Sequence, residues 1–285
     1  MFKKDASIIT RFAPSPSGRL HLGHAYSALF SASKALDVGG KFLLRIEDLD
    51  LGRCRPEFEA GIFEDLKWLG LTWEEDVLRQ SDRFDVYDSF LHVLEEGGVT
   101  YPCFCTRRDI MAEIENAPRA PHGPDGALYP GICKYLTKDE IDTLKSEGRP
   151  FATRLHMDKA IRMTGPLTFM DQEVGLVSVD GSSCGDVVLA RKDVPTSYHL
   201  SVVVDDALQG VNLVTRGVDL LHATHIHRIL QTLLGLAAPS YYHHPLLTDD
   251  AGKRYAKRDK ALTLQSLRNA GKAPADIKKM VGFAN

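Results

Sequence analysis

An α/β fold built on a mostly parallel, doubly wound sheet is predicted by three features of this 285-residue chain. Near the N-terminus an apolar run, Ile8-Ile9-Thr10, leads through Arg11-Phe12-Ala13 into a turn broken by Pro14, Pro16 and Gly18, and a helix pattern follows at once. A second strand pattern then appears from Lys41 to Asp48, with Phe42, Leu44 and Ile46 alternating against Leu43, Arg45 and Glu47. Late in the chain, Val202-Val203-Val204 within Ser197 to Asp206 is the continuous apolar run expected of a strand covered on both faces. Strands alternating with helices build βαβ units, and such units close into a parallel sheet.

The elements follow in order. AYSALFSASKAL reads as a helix with Leu22, Leu29 and Leu36 spaced by seven on one face. Phe58, Ile62, Leu66 and Leu69 form a second helical stripe, ended by Gly70. Ser81 stands as the cap of a third helix, with Phe84, Tyr87, Leu91 and Leu94 inward and Gly97-Gly98 stopping it. Residues 1–99 are thereby the first half of the sheet domain. From Thr100 the character changes: Cys103-Phe104-Cys105, a loop with Pro118, Pro121, Pro124 and Pro130, a charged helix from Thr137 to Gly148, and short strand-like pieces at Phe151 to His156, Leu176 to Val179 and Val187 to Arg191. Residues 100–192 read as an insertion. The second half, 193–238, holds strands from Ser197 to Asp206 and Gly210 to Arg216, then a helix from Leu221 to Leu234 ended by Gly235. Residues 239–285 carry the basic stretch GKRYAKRDKA and a short helical tail, and no internal repeat appears.

Composition bounds the function. A formal net charge of −3 excludes a wide nucleic-acid-gripping surface, so any RNA contact is local. The exception is the C-terminal stretch, where Lys253, Arg254, Lys257, Arg258, Lys260, Arg268, Lys272, Lys278 and Lys279 face only Asp259 and Asp276, a cluster suited to phosphate. No apolar run approaches membrane-spanning length and MFKKDAS is no signal peptide, so a cytoplasmic location without membrane contact is expected. Five cysteines, an odd number, argue against disulfides and for a metal site or thiols.

The chemistry centres on Arg11 to His24, RFAPSPSGRLHLGH. A strand, a tight turn and a helix N-terminus pointing at that turn make a phosphate site, since the first turn of a helix has unpaired N–H groups and positive partial charge. His21 and His24 share a face of that turn, and Gly23 between them leaves the backbone open to a flat ligand. No GxxxxGK[ST] occurs, so the site is not a P-loop. Glu47 and Asp48 lie at a strand's C-terminal end, where ligands of open α/β sheets bind and where a carboxylate meets an amino group.

These residues resemble the HIGH signature of class I aminoacyl-tRNA synthetases, and RFAPSPSG-x-LHLGH resembles the glutamyl/glutaminyl branch. The resemblance implies a Rossmann-like catalytic domain that binds ATP, with Mg²⁺ as its metal, through His21, Gly23 and His24. Arg254-Tyr255-Ala256-Lys257-Arg258 is similar to the second signature, KMSKS: Lys257 keeps the key ammonium, while Arg254 and Ala256 replace a lysine and a serine. The task of that ammonium is to neutralise charge developing on the ATP phosphates. The resemblance further implies that Arg11, Phe12, Ala13, Pro14, Ser15, Glu47, Tyr198 and Arg216 surround L-glutamate. Either Arg216 or Arg11 suits a carboxylate, Glu47 the α-ammonium and Tyr198 a hydrogen bond. His21, His24 and Lys257 are the catalytic candidates.

Cys103, Cys105, Tyr129 and Cys133 resemble the Cys-x-Cys…Tyr-x-x-x-Cys zinc site of one subfamily, which implies a structural Zn²⁺ pinning the insertion. Cys54 and Cys184 stand outside that set. The chain stops at Asn285, soon after the second signature, where glutamyl-tRNA synthetases continue into anticodon-reading domains. It also has Val202 where those enzymes resemble YHFANVVDD, with asparagine. Together with Tyr129, these departures resemble the glutamyl-Q tRNA(Asp) synthetase family. That family activates glutamate and passes it to queuosine at the wobble position of tRNA(Asp). The partners implied are L-glutamate, ATP and the queuosine-bearing anticodon loop, and a monomer is expected. Two alternatives are a truncated glutamyl-tRNA synthetase charging tRNA(Glu) and a non-catalytic, tRNA-binding paralogue.

Overall fold

Two parallel strand groups meet side by side to form the centre of the molecule, which a computed structural model describes over residues 7–116, 122–123, 126–247 and 263–283. The first group is β1 (Ile9–Phe12), β2 (Lys41–Ile46) and β3 (Glu74–Arg79), joined by helices α1 (Leu22–Leu36) and α2 (Pro56–Trp68) and followed by α3 (Phe84–Glu96). An intervening segment contains β4 (Thr100–Cys103), α4 (Arg107–Asn116), a short β5 (His122–Gly123) and β6 (Gly126–Ala127), α5 (Lys138–Ser146), β7 (Ala152–Leu155), α6 (Met157–Thr164), the hairpin β8 (Thr168–Asp171) and β9 (Gly175–Ser178), and β10 (Val188–Ala190). The chain then returns through α7 (Tyr198–Leu208), β11 (Leu213–Gly217), α8 (Leu221–Leu233) and β12 (Ser240–His244), and after residue 262 ends in α9 (Leu264–Asn269) and α10 (Pro274–Met280).

In the second strand group β11 pairs parallel with β12, and β12 with β8. Asn212 joins the groups: its side-chain oxygen accepts from the Ile9 amide at 2.8 Å, and its own amide donates to the Ile9 carbonyl at 3.2 Å. The chain order therefore reverses between β1 and β11, and a switch point of this kind opens a crevice at the carboxyl ends of the strands. Helix α1 is fixed over the seam by hydrogen bonds from Thr10 Oγ1 to the Ser31 carbonyl (2.7 Å) and between Ser31 Oγ and Thr215 Oγ1 (2.5 Å). One apolar core lies between α1, α2 and the first strand group, and a second between α3, α6, α7 and α8.

Several expectations change here. Ser197 to Asp206 is not a strand but the start of α7, in which every residue from Leu200 to Asp206 is buried. A helix covered all round loses the polar face that reveals its period, so its sequence mimics a buried strand, and tertiary context overrides the strand preference of three valines. Strands β3 and β12 have sequences (EEDVLR, SYYHH) too polar to announce themselves. Ser81 does not cap α3, whose N-cap is Arg83; it donates instead to Asp48, through its amide (2.8 Å) and hydroxyl (2.6 Å). Leu36 ends α1 half exposed rather than on the core face. The hairpin β8–β9 falls within the 100–192 segment, yet it pairs with the sheet through β12, while β10, β7 and β4 form their own antiparallel sheet. Among the described residues no helix is long and apolar enough to cross a membrane.

The C-terminal helices return to the N-terminal half. Leu264, Leu267 and Ile277 enter the first core, and Arg268 pairs with Glu64 (2.8 Å) and stands 3.3 Å from Asp65 on α2. Asp65 is 1% exposed and has no hydrogen-bond donor among the described residues. Burial raises its pKa to about 6, more than the Arg268 charge lowers it. The folded state thus binds this proton more tightly than the unfolded chain, so on this residue's account stability is highest near pH 4 and falls as pH rises to 6. We expect Asp65→Asn to be more stable than the parent at pH 7, by up to about 3 kcal/mol. The difference should vanish near pH 4 in urea denaturation; a gain independent of pH would contradict the assignment.

Candidate active site

Beyond the carboxyl ends of β1, β2, β11 and β12 opens a cleft of about 670 Å³. Arg11, Phe12 and Ala13 reach it from the end of β1, His21, Gly23 and His24 from the start of α1, and Glu47, Tyr198 and Arg216 from β2, α7 and β11. Pro14 and Ser15 do not line it. Pro14 acts through its backbone, its carbonyl accepting from the Glu47 amide at 3.0 Å, and Ser15 Oγ lies 3.8 Å from Cys54 Sγ. Val202 is 1% exposed inside the second core and stands back from the cleft.

His21 is the N-cap of α1, and its Nδ1 accepts from the Gly23 amide at 3.1 Å. His24 answers in a capping box, its Nδ1 accepting from the His21 amide at 3.2 Å. Two consequences follow. Amides expected to meet a phosphate directly are engaged by the imidazoles. Each ring, accepting at Nδ1, carries its proton on Nε2, so the side-chain donor at this helix end belongs to an imidazole. The rings lie against each other, tilted by 38°, with centroids 3.8 Å apart. A Cβ on Gly23 would meet His21 Cε1 at 3.0 Å, so glycine is what lets the ring close over the helix end.

Asp206 organises the charges behind the cleft. Its carboxylate accepts from Arg11 Nε (2.8 Å) and Nη2 (3.2 Å) and from Arg45 Nη1 (2.8 Å), while Arg45 Nη2 donates to Glu47 at 3.2 Å. Burial alone would raise the Asp206 pKa, but Arg11 and Arg45 hold it below the usual carboxylate value. For Glu47 burial prevails over the same two arginines and the pKa is raised. Arg11 Nη1 donates to the Thr215 carbonyl at 3.2 Å, so all three of its nitrogens are used within the protein.

Arg216 is different. Its guanidinium is buried, and every partner is neutral: Tyr198 Oη (3.4 Å), His227 Nδ1 (3.2 Å), His243 Nε2 (3.2 Å) and Thr224 Oγ1 (2.5 Å). Among the described residues no carboxylate lies within ion-pair distance of it. Burial first, and then the Arg216 charge, push His227 well below its ordinary pKa and His243 down to about 4, so both imidazoles remain neutral acceptors. Of the two arginines expected to fork onto a carboxylate, Arg11 is paired with Asp206 and Arg216 has neutral partners only among the described residues.

Lys257, Arg254 and Ala256 lie outside the described residues. Their neighbours do not: Leu247 lines the cleft, Thr263 forms an antiparallel bridge with His21, and the Leu264 amide donates to the Leu20 carbonyl at 2.8 Å.

The Sγ atoms of Cys103, Cys105 and Cys133 lie within 4.8 Å of one another. Cys105 and Cys133 are 3.4 Å apart, and Tyr129 Oη is 3.3 Å from Cys103 Sγ and 3.5 Å from Cys105 Sγ. Tetrahedral zinc with ordinary bond lengths separates sulfur pairs by about 3.8 Å and sulfur–oxygen pairs by about 3.5 Å, so this donor set fits such an ion. Arg154 covers the Tyr129 ring at 3.8 Å. Burial opposes ionisation of Cys103, but the Tyr129 hydroxyl and Arg154 outweigh it and lower the thiol pKa.

The paired imidazoles and the buried arginine share one cleft at the switch point of a doubly wound sheet, the architecture of a class I synthetase catalytic domain. The family described as tRNA synthetases class I (E and Q), catalytic domain, matches residues 7–282, and the chain belongs to it. As a member it is an ATP-dependent ligase of this class. The chain is 49% identical over 282 residues to the glutamyl-Q tRNA(Asp) synthetase of Rhodobacter capsulatus, covering 97% of this chain and 100% of that protein. It is 44% identical over 277 residues to the protein of the same name from Nitratidesulfovibrio vulgaris, covering 94% and 83%. Its structure is similar to that of a glutamate tRNA ligase from Elizabethkingia meningosepticum in complex with its amino acid, with a TM-score of 0.81 and 27% identity; the match covers 97% of this chain and 60% of that one. The chain thus spans about 60% of the length of that solved ligase.

Replacing Asp206 tests the charge arrangement. Asp206→Asn leaves two buried guanidiniums without their shared anion, and breaking a buried pair costs about 3–5 kcal/mol. Chemical denaturation should show a loss of that size; a change below about 1 kcal/mol would mean that Arg11 and Arg45 are held by other means.

Proposed function

We propose that the chain activates L-glutamate with ATP and transfers it to the queuosine base at the wobble position of tRNA(Asp). The observation that carries the first step is Arg216, a buried cation ringed by neutral acceptors, in the same cleft as Glu47 and the paired histidines. An amino acid with a second carboxylate suits this set: Glu47 takes the α-ammonium, and Arg216 with Tyr198 takes the side-chain carboxylate. The α-carboxylate stays free to react. Its oxygen attacks the α-phosphorus of ATP, the bond to the β-phosphate's bridging oxygen breaks, and pyrophosphate leaves. The Nε2–H groups of His21 and His24 stabilise charge on the phosphates, Lys257 and Arg254 support the leaving group, and Mg²⁺ accompanies ATP. A queuosine hydroxyl then attacks the adenylate carbonyl and AMP departs. The nucleobase acceptor is supported by the name of the Rhodobacter relative, whose whole length the chain matches.

Zn²⁺ would be held by Cys103, Cys105, Tyr129 and Cys133 and would serve structure, tying β4 to the loop that precedes α5. A second reading, charging of tRNA(Glu), is favoured by the likeness to the solved glutamate tRNA ligase.

Three measurements test this. Purified protein should catalyse ATP–pyrophosphate exchange that depends on glutamate and not on glutamine. Arg216→Met should lose it by at least about a hundredfold, the loss of a buried charged hydrogen-bonded pair; absence of exchange in the zinc-loaded parent would leave a binding paralogue. Labelled glutamate should pass to queuosine-containing tRNA(Asp) and not to tRNA(Asp) lacking the base, whereas label on tRNA(Glu) would replace the acceptor. Metal analysis should find one zinc per chain, lost in Cys105→Ser together with a lowered Tm.

A further inference from the structure

The Arg216 pocket has a support that none of the sequence motifs contains. His243, on β12, accepts from Arg216 Nε and stands 2.9 Å from Thr224 Oγ1, both through Nε2. Its other nitrogen, Nδ1, lies 2.5 Å from Asp171 Oδ2. Asp171 is 1% exposed and ends β8, in the segment between the two halves of the sheet. Its carboxylate is anchored there by the Glu173 amide (2.8 Å) and the Val174 amide (3.3 Å) on Oδ1, and by the His243 amide (3.3 Å) on Oδ2.

A neutral imidazole has one N–H and one lone pair, and the partner of one nitrogen decides the role of the other. An ionised carboxylate only accepts. Asp171 therefore requires the proton on Nδ1, and that requirement turns the Nε2 lone pair toward the Arg216 guanidinium. With the other tautomer, an Nε2–H would confront an Nε–H. We infer that Asp171 is a positioning residue for amino-acid recognition: through the tautomer of His243 it holds the Arg216 fork in the orientation that receives the substrate carboxylate. Neither Asp171 nor His243 is placed in contact with substrate, and the role rests on the reading of Arg216 given above.

Asp171→Asn tests the inference with little change in shape. The amide oxygen keeps the two hairpin amides on Oδ1, and the –NH2 group takes the place of Oδ2, giving up the His243 backbone amide and donating to Nδ1, so the imidazole must move its proton to Nε2. The expected result is a KM for glutamate raised at least tenfold in pyrophosphate exchange, a KM for ATP within twofold of the parent, and an unchanged fold by circular dichroism. Nitrogen-15 spectra of the histidine ring should show the proton transferred from Nδ1 to Nε2.

His243→Gln provides the control, because its carboxamide oxygen accepts from Arg216 without any tautomer to set. In that background Asp171→Asn should raise the KM for glutamate less than threefold. An equal rise in both backgrounds, or Nδ1 still protonated in Asp171→Asn, would overturn the relay and leave Asp171 as a hairpin anchor alone. If the parent shows no glutamate-dependent exchange, the reading of Arg216 itself fails. In that case the ring spectra, which need no substrate, still decide whether Asp171 sets the tautomer.

Discussion

The site depends on one carboxylate. Asp206 is buried, and it holds Arg11 from β1 and Arg45 from β2 in a single cluster beneath the cleft. Without it, two neighbouring strands would carry buried guanidiniums side by side, an arrangement that repels and that burial makes expensive. With it, Arg45 is free to steady Glu47, and Arg11 to fasten the Thr215 carbonyl of β11. The ion cluster thus spans the seam at which the two strand groups meet. It aligns the strand ends from which the recognition groups emerge.

The residue before it makes a parallel argument. Asp205 accepts from Gln80, Arg83 and Tyr87, at 2.9, 2.9 and 2.7 Å, and so ties α7 to the start of α3. Adjacent residues on a helix point about 100° apart, so consecutive aspartates on α7 serve two different neighbours. As a strand they would also diverge, but to opposite faces of a sheet, and α7 has partners on all sides instead. The polar content of this buried helix is therefore its specification: the valines make it apolar enough to bury, and the aspartates fix its rotation.

Legibility followed the same physics. The first signature, the Glu47 strand end and the cysteine cluster were readable because their residue types are costly to bury or rare unless a site needs them. The positions that the structure adds are Asp206, Arg45, Thr224, His227, Asp171 and His243. Arg45 lies 161 residues from Asp206 and His243 lies 72 from Asp171, while Thr224 and His227, 8 and 11 residues from Arg216, take their meaning only from the side chain they meet in space. A single chain gives no pattern for such pairs. The misread α7 has another cause, since uniform burial erased the period on which the reading relied. The only signal available was the charged pair at its end, two acids closing an apolar run.

The charge state of the cleft follows from these placements. Around Arg216 the imidazoles of His227 and His243 add no charge, because burial and Arg216 keep them neutral, so the guanidinium has only neutral partners. On the proposed reading, the side-chain carboxylate of glutamate gives Arg216 the counter-ion that the protein does not supply. Glutamine has the same shape and no side-chain charge, and on that reading would leave Arg216 buried without a counter-ion. An unpaired buried charge is penalised by several kcal/mol, well beyond what a hydrophobic pocket can extract from a small difference in shape. On the proposed reading of Arg216, discrimination between the two amino acids needs no steric barrier. It requires only that the neighbours of Arg216 stay neutral, which makes their protonation as much a part of specificity as the arginine itself.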